Sequence, residues 1–177
     1  RSLRVTRQSG RVLTAKWRAL PDFVIIGAQK AGTTALYTYI LQHPQVRWAY
    51  RTEIRYFDIN HARGVSWYRS NFPFASLLDR EGHITGEASP NYLFHPRAHE
   101  RIKELVPDVK LIVLLRNPVD RTISHYFHEV RRKVEELPIE RALAQEEGRI
   151  EPEFRKMLLD PFYDSFIYRH FSYKKRG

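Results

Sequence analysis

The chain contains no cysteine and no long apolar run. It has 177 residues, with eight glycines and a single methionine. The lack of cysteine excludes disulfide bonds and thiolate chemistry and favours a reducing compartment, so we expect a cytoplasmic protein. No apolar stretch approaches the roughly 18 to 20 residues that span a bilayer, so we expect no membrane span in this chain. An anchor removed from a longer precursor would leave no trace, which keeps the Golgi lumen open as a second compartment.

Acidic residues are scarce relative to basic ones. Twenty Asp and Glu stand against thirty Lys and Arg, which gives a formal net charge of +10 and an isoelectric point near 10.0. This balance favours an anionic partner such as nucleic acid, a membrane surface, a phosphorylated cofactor or an acidic polysaccharide. Much of the excess lies in residues 1–18 and 174–176, so solvated tails are the alternative explanation. A hydrophobic share of 42% and an aromatic share of 13% indicate a globular domain.

Apolar runs alternate with segments of helical periodicity. Short runs rich in β-branched residues predict strands at residues 23–26, around 84–86 and, as the central strand, at 111–115. Helical spacing predicts helices from Thr33 to the His43-Pro44 pair, over 96–106, from an N-cap at Asp120, and on the surface through Gly148. Residues 45–80 are expected to be irregular. The alternation predicts an α/β domain with a parallel sheet over residues 21–177, preceded by an extended basic arm at residues 1–20.

A phosphate cradle is predicted where the first strand ends. The segment G-A-Q-K-A-G-T-T at residues 27–34, here called the glycine loop, follows an apolar strand and leads into a helix. Such a junction directs backbone N–H groups and a partial positive charge at one point. In nucleotide triphosphatases the lysine directly follows the second glycine. Here Thr33 takes that place, and Lys30 lies two residues before Gly32, so the cation reaches the oxyanion from a different point.

The apolar run at residues 111–115 is followed by a second cation. A triphosphatase would be expected to place an aspartate there to help hold magnesium, but this chain has Arg116. Ser124, on the helix that follows, supplies a hydroxyl suited to gripping a phosphate together with the guanidinium. Ligands of parallel sheets bind beyond the carboxyl ends of the strands, so Arg116 and the glycine loop should face one crevice. We therefore expect a ligand with two anionic groups some distance apart.

With these motifs the chain resembles the sulfotransferases that use 3'-phosphoadenosine-5'-phosphosulfate (PAPS), and most closely the branch of heparan-sulfate-type enzymes and their bacterial relatives. The glycine loop is similar to the family's 5'-phosphosulfate loop. Three further segments are similar to its 3'-phosphate motif, its glutamate-containing segment and its substrate-cleft segment: residues 115–121 with Ser124, residues 53–58, and residues 86–92. The resemblance covers roughly residues 21–135. It implies a P-loop-like three-layer fold with a central parallel sheet flanked by helices. The family domain usually runs on further, so we expect the chain to be truncated at its C-terminus.

The resemblance also implies roles for single residues. The sulfuryl group passes from PAPS to a hydroxyl or amine of an acceptor, a carbohydrate or a hydroxylated metabolite. Lys30 would donate to the bridging oxygen of the donor, and Glu53 would take the proton of the acceptor. The residues implied to bind PAPS are Gln29, Lys30, Ala31, Gly32, Thr33, Thr34, Arg116 and Ser124. Those implied to line the acceptor cleft are Arg55, Tyr92 and His125. No metal and no nucleic-acid partner are implied.

Two other functions stay open at this point. The first is a nucleotide kinase or triphosphatase with a P-loop, against which the position of Lys30 and the missing acidic residue after Leu115 both argue. The second is a basic module that binds polyanions without catalysis, which the net charge alone supports. The family often has histidine where Arg55 stands and lysine where Ala88 stands, so the acceptor is left undetermined. His125 and His128 are the next candidates for the base.

Overall fold

Four parallel strands form the centre of the molecule. The computed structural model describes residues 10–160 and 163–174. The strands are β1 (Phe23–Gly27), β2 (Val46–Arg47), β3 (Ile84–Ala88) and β4 (Lys110–Val113). Their order across the sheet is β2-β3-β1-β4, and each of the three pairings is parallel. The predicted α/β fold with a parallel sheet is confirmed.

Alpha-helices connect and flank these strands. They are α1 (Thr33–Ile40), α2 (Gly64–Arg69), α3 (Ala75–Glu81), α4 (Ala98–Leu105), α5 (Pro118–Arg131), α6 (Ile139–Leu159) and α7 (Phe166–Phe171). Short 3-10 turns lie at Ala15–Trp17 and His61–Arg63. The segment at 45–80, which we expected to be irregular, therefore contains β2, α2 and α3. These elements are short, so the sequence carries little periodicity to reveal them.

β1 is buried on both of its faces. Alternate side chains of a strand point to opposite sides, so Val24 belongs to one core and Ile25 to the other. The Val24 core is mainly aromatic and holds Tyr56, Phe57, Tyr68, Phe72 and Tyr92. The Ile25 core holds Phe23, Tyr37, Val46 and Ala88. Because both cores exclude water around β1, the glycine loop at its carboxyl end starts from a rigid point.

We expected residues 10–20 to form an extended arm, but they pack against the domain. Arg11 donates from Nε to the carbonyl oxygen of Ser70 at 2.6 Å and from Nη2 to that of Phe72 at 3.0 Å. Arg18 donates from Nη1 to the same Phe72 oxygen at 2.9 Å. These carbonyls lie just after α2, where a helix leaves its last carbonyl groups without partners. Two arginines of the basic segment therefore serve to hold α2 and are not part of a solvated tail. Residues 1–9 lie outside the described residues.

The strand that we expected to be central, β4, lies at the edge of the four described strands. β1 occupies an inner position because it pairs with both β3 and β4. The apolar side chains of β4 are accordingly half open to solvent, with Leu111 50% and Val113 43% exposed. An uninterrupted apolar run indicates a strand but does not determine its place in the sheet, because strand order depends on non-local pairing.

Two predicted helix limits were wrong. The N-cap of α5 is Asn117, whose Oδ1 accepts from the N–H groups of Val119 at 3.0 Å and Asp120 at 3.3 Å. Pro118 at the first helical position suits this earlier start.

α6 does not stop at Gly148, since it runs on to Leu159. Its buried face packs against α7 and offsets the cost of a glycine, about 1 kcal/mol. The buried residues of that face are Ala142, Glu146, Ile150, Glu153 and Met157.

Candidate active site

The glycine loop joins the carboxyl end of β1 to the start of α1. Gly32 caps α1 with a φ of +95°, and Lys30 also has a positive φ of +71°. These conformations turn the chain sharply so that Thr33 and Thr34 begin the helix. The first N–H groups of a helix have no acceptor within it, and they carry the positive end of its dipole. The loop therefore presents the donors that a phosphate or sulfate group requires.

Gly27 fixes the starting point of the loop by a close approach to the segment after β3. A Cβ atom at this position would lie 2.6 Å from the Cβ of Leu93 and 3.2 Å from the carbonyl oxygen of Pro90. On its other side the loop is tied to the continuation of β4, since Ala28 N–H donates to Leu114 O and Leu114 N–H donates to Gly27 O, both at 2.8 Å. The carboxyl ends of β1 and β4 are thus joined directly.

The structure brings Arg116 onto the glycine loop. Its Nη1 donates to the carbonyl oxygen of Lys30 at 3.1 Å. Lys30 is half-buried, and this burial is the main reason that its pKa is lowered; Arg131 and Arg116 lower the pKa further, while Glu129 opposes them. The guanidinium of Arg116 therefore lies on the glycine loop, close enough to Lys30 to affect its pKa, and an anionic ligand would neutralise both charges.

Ser124 and His125 lie on α5, beyond Arg116. Ser124 is half-buried. His125 is fully buried, with its ring centroid 5.1 Å from that of Tyr173 and its Nε2 3.5 Å from Oε1 of Glu129. Glu129 also contacts Nδ1 of His170 at 2.9 Å. Burial opposes ionisation of Glu129, but hydrogen bonds from the two histidines prevail and hold its pKa well below the usual range. Binding of PAPS by Ser124 and of acceptor by His125 stay predictions.

Glu53 lies at the start of residues 53–58, here called the Glu53 segment. Its side chain reaches solvent, yet crowding by neighbouring atoms raises the pKa of the carboxyl, with Arg55 opposing the shift and Asp58 adding to it. Arg55 adopts a φ of +57° and donates from both Nε, at 2.8 Å, and Nη2 to Oδ2 of Asp58. The guanidinium of Arg55 is thus partly engaged within its own segment. Its contact with an acceptor stays a prediction.

Sequence reasoning missed Glu87, which is fully buried on β3. Its carboxyl group accepts hydrogen bonds from Tyr68 Oη at 2.8 Å, Ser89 Oγ at 2.7 Å and Tyr92 Oη at 3.2 Å. Burial raises the pKa of Glu87 to about 7 against the effect of these donors. Tyr92, which we expected in the acceptor cleft, has only 3% of its surface exposed. The available signal was a glutamate inside a strand that is otherwise apolar or small, I-T-G-E-A.

The residues that the structure describes contain neither a membrane-spanning helix nor a cluster of metal-binding side chains. Within residues 10–160 and 163–174, no helix combines the length and apolar character required to cross a bilayer. In the same part of the chain, no group of three or more His, Cys, Asp or Glu side chains is arranged to hold a metal ion.

The sequence and fold match a known family. The family model described as "Sulfotransferase domain" matches residues 20–173, so the chain belongs to the sulfotransferase family. This membership favours the sulfotransferase prediction over a nucleotide kinase and over a polyanion-binding module. The resemblance predicted from the four motifs is thereby confirmed.

Several curated relatives are similar to this chain but longer. Heparan sulfate glucosamine 3-O-sulfotransferase 6 of Homo sapiens is 44% identical over 131 residues, which is 74% of this chain and 36% of that protein. Membrane-associated sulfotransferase kil1 of Dictyostelium discoideum is 37% identical over 116 residues, 66% of this chain and 24% of that protein. The chain thus spans roughly a quarter to a third of the length of these relatives.

A solved structure shares the fold. The crystal structure of a sulfotransferase from Alicyclobacillus acidocaldarius superposes with a TM-score of 0.63 at 32% sequence identity. The match covers 90% of this chain and 64% of that one. The parallel sheet with flanking helices is therefore the sulfotransferase fold.

Proposed function

We propose that this domain transfers a sulfuryl group from PAPS to a hydroxyl or amine of a carbohydrate acceptor. The observation that carries the proposal is the convergence of Lys30 and Arg116 on the glycine loop, in a chain of the sulfotransferase family. The loop offers N–H groups to the 5'-phosphosulfate, and Arg116 with Ser124 offers donors to the 3'-phosphate. The full binding set comprises Gln29, Lys30, Ala31, Gly32, Thr33, Thr34, Arg116 and Ser124.

Lys30 is the proposed catalytic cation. Sulfuryl transfer breaks the bond between sulfur and the bridging oxygen of the donor, and negative charge develops on that oxygen as the bisphosphate leaves. An ammonium group directed at this oxygen stabilises the transition state more than the ground state. The partial burial of Lys30 supports this role, because electrostatic interactions strengthen where water is excluded. Such a donor contributes roughly 10² to 10³ in rate.

Glu53 is the proposed general base. The acceptor oxygen forms a bond to sulfur and must lose its proton, which passes to the carboxylate of Glu53. The raised pKa of Glu53 supports the assignment, because a base is most effective when its pKa approaches the working pH. Its access to solvent also allows an acceptor to reach it.

Arginines held against aromatic rings near the Glu53 segment support an anionic glycan as acceptor. Arg51 and Arg63 lie over the ring of Trp67, at 5.8 and 4.5 Å from the centroid. Arg11 lies over Tyr50 at 4.9 Å. Cations held on rings in this way keep their positive charge, which an anionic acceptor would attract. Relatives named as heparan sulfate sulfotransferases point the same way. A hydroxylated metabolite is the alternative acceptor.

Calorimetry with 3'-phosphoadenosine-5'-phosphate (PAP), and separately with ATP and magnesium, tests the donor site. We expect metal-free binding of PAP that is lost in Lys30→Ala and in Arg116→Ala. The matched controls are Lys103→Ala on α4 and Arg80→Ala on α3, both exposed, and they should bind as the unaltered protein does. Saturable ATP binding that requires magnesium, without binding of PAP, would overturn the proposal in favour of a nucleotide kinase.

A further inference from the structure

Glu87 is a buried carboxyl group that the proposed reaction does not use. It has no exposed surface, and burying a carboxylate costs several kcal/mol unless hydrogen bonds compensate. Three hydroxyl groups provide part of that compensation, from Tyr68 on α2 and from Ser89 and Tyr92 just after β3. We call these four residues the Glu87 network. An apolar side chain would fill the same space without the cost, so the network requires a reason beyond packing.

Two hydroxyls of the Glu87 network also hold the backbone of the Glu53 segment. Ser89 Oγ accepts from the N–H of Arg55 at 3.0 Å, and Tyr92 Oη accepts from the N–H of Tyr56 at 2.7 Å. A hydroxyl has one hydrogen and two lone pairs, so its orientation depends on where the hydrogen goes. When both hydrogens point at the carboxylate of Glu87, the lone pairs are left to accept the two successive N–H groups.

The backbone held in this way is an uncommon one. Arg55 has a φ of +57°, a region that non-glycine residues seldom adopt and that the surrounding structure must enforce. The hydrogen bonds to Arg55 and Tyr56 act at and next to this turn, two residues after Glu53. On the other side of the turn, Asn60 Nδ2 donates to Ile54 O at 2.9 Å. The direction in which the side chain of Glu53 points therefore depends on these contacts.

We propose that Glu87 is a positioning residue for Glu53: it orients the hydroxyls of Ser89 and Tyr92, which hold the turn that presents the base to the acceptor. The inference rests on the proposed function, because it requires Glu53 to take the acceptor proton. Glu87 touches neither donor nor acceptor in this role. Tyr68 anchors the carboxyl from α2, and its ring stacks on that of Tyr56 with centroids 4.5 Å apart.

The chain contains a matched control for this arrangement. Ser165, also buried, donates to Oε2 of Glu153 at 2.6 Å and accepts from the N–H of Tyr168 at 3.0 Å. The pattern is the same as that of Ser89, but the backbone that it holds belongs to α7. Ser89→Ala and Ser165→Ala each remove one buried hydroxyl that bridges a glutamate and a backbone N–H. They should therefore cost similar stability.

The test measures kcat and KM for labelled PAPS, PAP binding and the melting temperature in the full-length protein. We expect Ser89→Ala and Glu87→Gln to lower kcat by about 10- to 100-fold, since a displacement of about 1 Å can cost about 10². PAP binding should stay within about twofold. Ser165→Ala and Glu153→Gln should keep their kcat despite a similar loss of melting temperature. Equal loss of kcat in both pairs, or a parallel loss of PAP binding, would overturn the proposal.

A double-mutant cycle separates this proposal from the one on which it rests. In a Glu53→Gln background, Glu87→Gln should change the residual kcat by less than about twofold, because the base through which it acts is gone. If Glu53→Gln turns over like the unaltered protein, the assignment of the base is wrong. If Glu53→Gln is inactive while Glu87→Gln and Ser89→Ala keep full kcat, the base stands and the positioning role is wrong.

Discussion

The glycine loop and the Glu53 segment are held by different kinds of structure. The glycine loop continues β1 directly into α1, and it is linked to the β4 side by two backbone hydrogen bonds with Leu114 and one hydrogen bond from Arg116. The Glu53 segment belongs to no strand or α-helix, and buried hydroxyls from a distant part of the chain hold its backbone. Binding an oxyanion requires backbone donors that a strand-to-helix turn supplies by itself. Aiming a single carboxylate requires support from side chains beneath it.

Removing the charge of Glu53 is expected to have the largest effect. Glu53→Gln keeps the size of the side chain but accepts no proton, so we expect transfer to fall by about 10² to 10⁴. PAP should bind as before, because the glycine loop is unchanged. Sulfate transfer from labelled PAPS and calorimetry with PAP check the two statements, with Glu100→Gln on the exposed face of α4 as control. Near-normal transfer would reassign the base, with His125 and His128 next to be tested.

Removing the cation of the glycine loop should affect both binding and rate. We expect Lys30→Ala to lower transfer by roughly 10² to 10³, because the leaving oxygen loses its donor. Unlike Glu53→Gln, this change should also weaken the binding of PAP. Lys103→Ala is the control, and single-turnover rates with saturating PAPS separate chemistry from binding. If Lys30→Ala impaired binding alone, the lysine would be a donor ligand without a catalytic role.

The Glu87 network should make stability depend on pH. The pKa of Glu87 is raised to about 7 in the folded protein from an ordinary value of 4.5. Between these values the folded state holds a proton that the unfolded state has released, so unfolding becomes easier as pH rises. The stabilisation is present below about pH 4.5 and is lost by about pH 7, a change of about 3 kcal/mol.

Denaturant unfolding at pH 5 and pH 7.5 checks this slope. Buried His95, whose pKa is lowered to about 3, contributes the opposite slope in this range, so the contribution of Glu87 is measured as the difference in unfolding free energy between the unaltered protein and Glu87→Gln. That difference should shift against the unaltered protein between pH 5 and pH 7.5, whereas the difference for Glu153→Gln should stay nearly constant. Hydrogen bonds from Lys156, Ser165 and Tyr163 lower the pKa of Glu153 to about 2, so this group is ionised in both states throughout that range. Parallel pH profiles for the unaltered protein and Glu87→Gln would contradict the prediction.

The smallest effect is expected at the start of α5. Asn117→Ala removes the oxygen that caps two N–H groups and should cost about 1 kcal/mol of unfolding free energy. Asp120→Ala removes only a charge near the helix start and should cost about 0.5 kcal/mol. Thermal or denaturant unfolding compares the two. A larger loss of unfolding free energy for Asp120→Ala would indicate that Asp120 is the N-cap, as the sequence predicted.

Much of the proposed PAPS-binding region was predictable, because most of the residues that form it are contiguous in the sequence. A buried run, a glycine turn and a helix start follow one another in residues 23–40, so the cradle and the unusual place of Lys30 could be recognised locally. Arg116 was predicted to face the same crevice because parallel strands share a carboxyl edge. The N-cap was wrong by three residues because Asn117 with Pro118 competes with Asp120, and only the hydrogen bonds decide between them.

For the proposed acceptor site, the sequence predicted which segment takes part but not which residues hold that segment in place. The resemblance indicated Glu53, but nothing near it in the sequence shows that Ser89 and Tyr92 hold its backbone, across separations of 34 and 36 residues. Glu87 was missed for the same reason. A glutamate in a strand could be exposed on one face, and its burial becomes visible only when α2 and the Glu53 segment pack over it.

The sequence by itself determined the fold class, the family and the turn of the glycine loop, because each is encoded in a short run whose backbone geometry is set by its own residues. The tertiary structure alone decided the edge position of β4, the N-terminal packing of Arg11 and Arg18, and the network beneath Glu53. Strand order and buried hydrogen bonds join residues far apart in the chain. Their partners are settled only when the whole core excludes water and each buried polar group must find a partner.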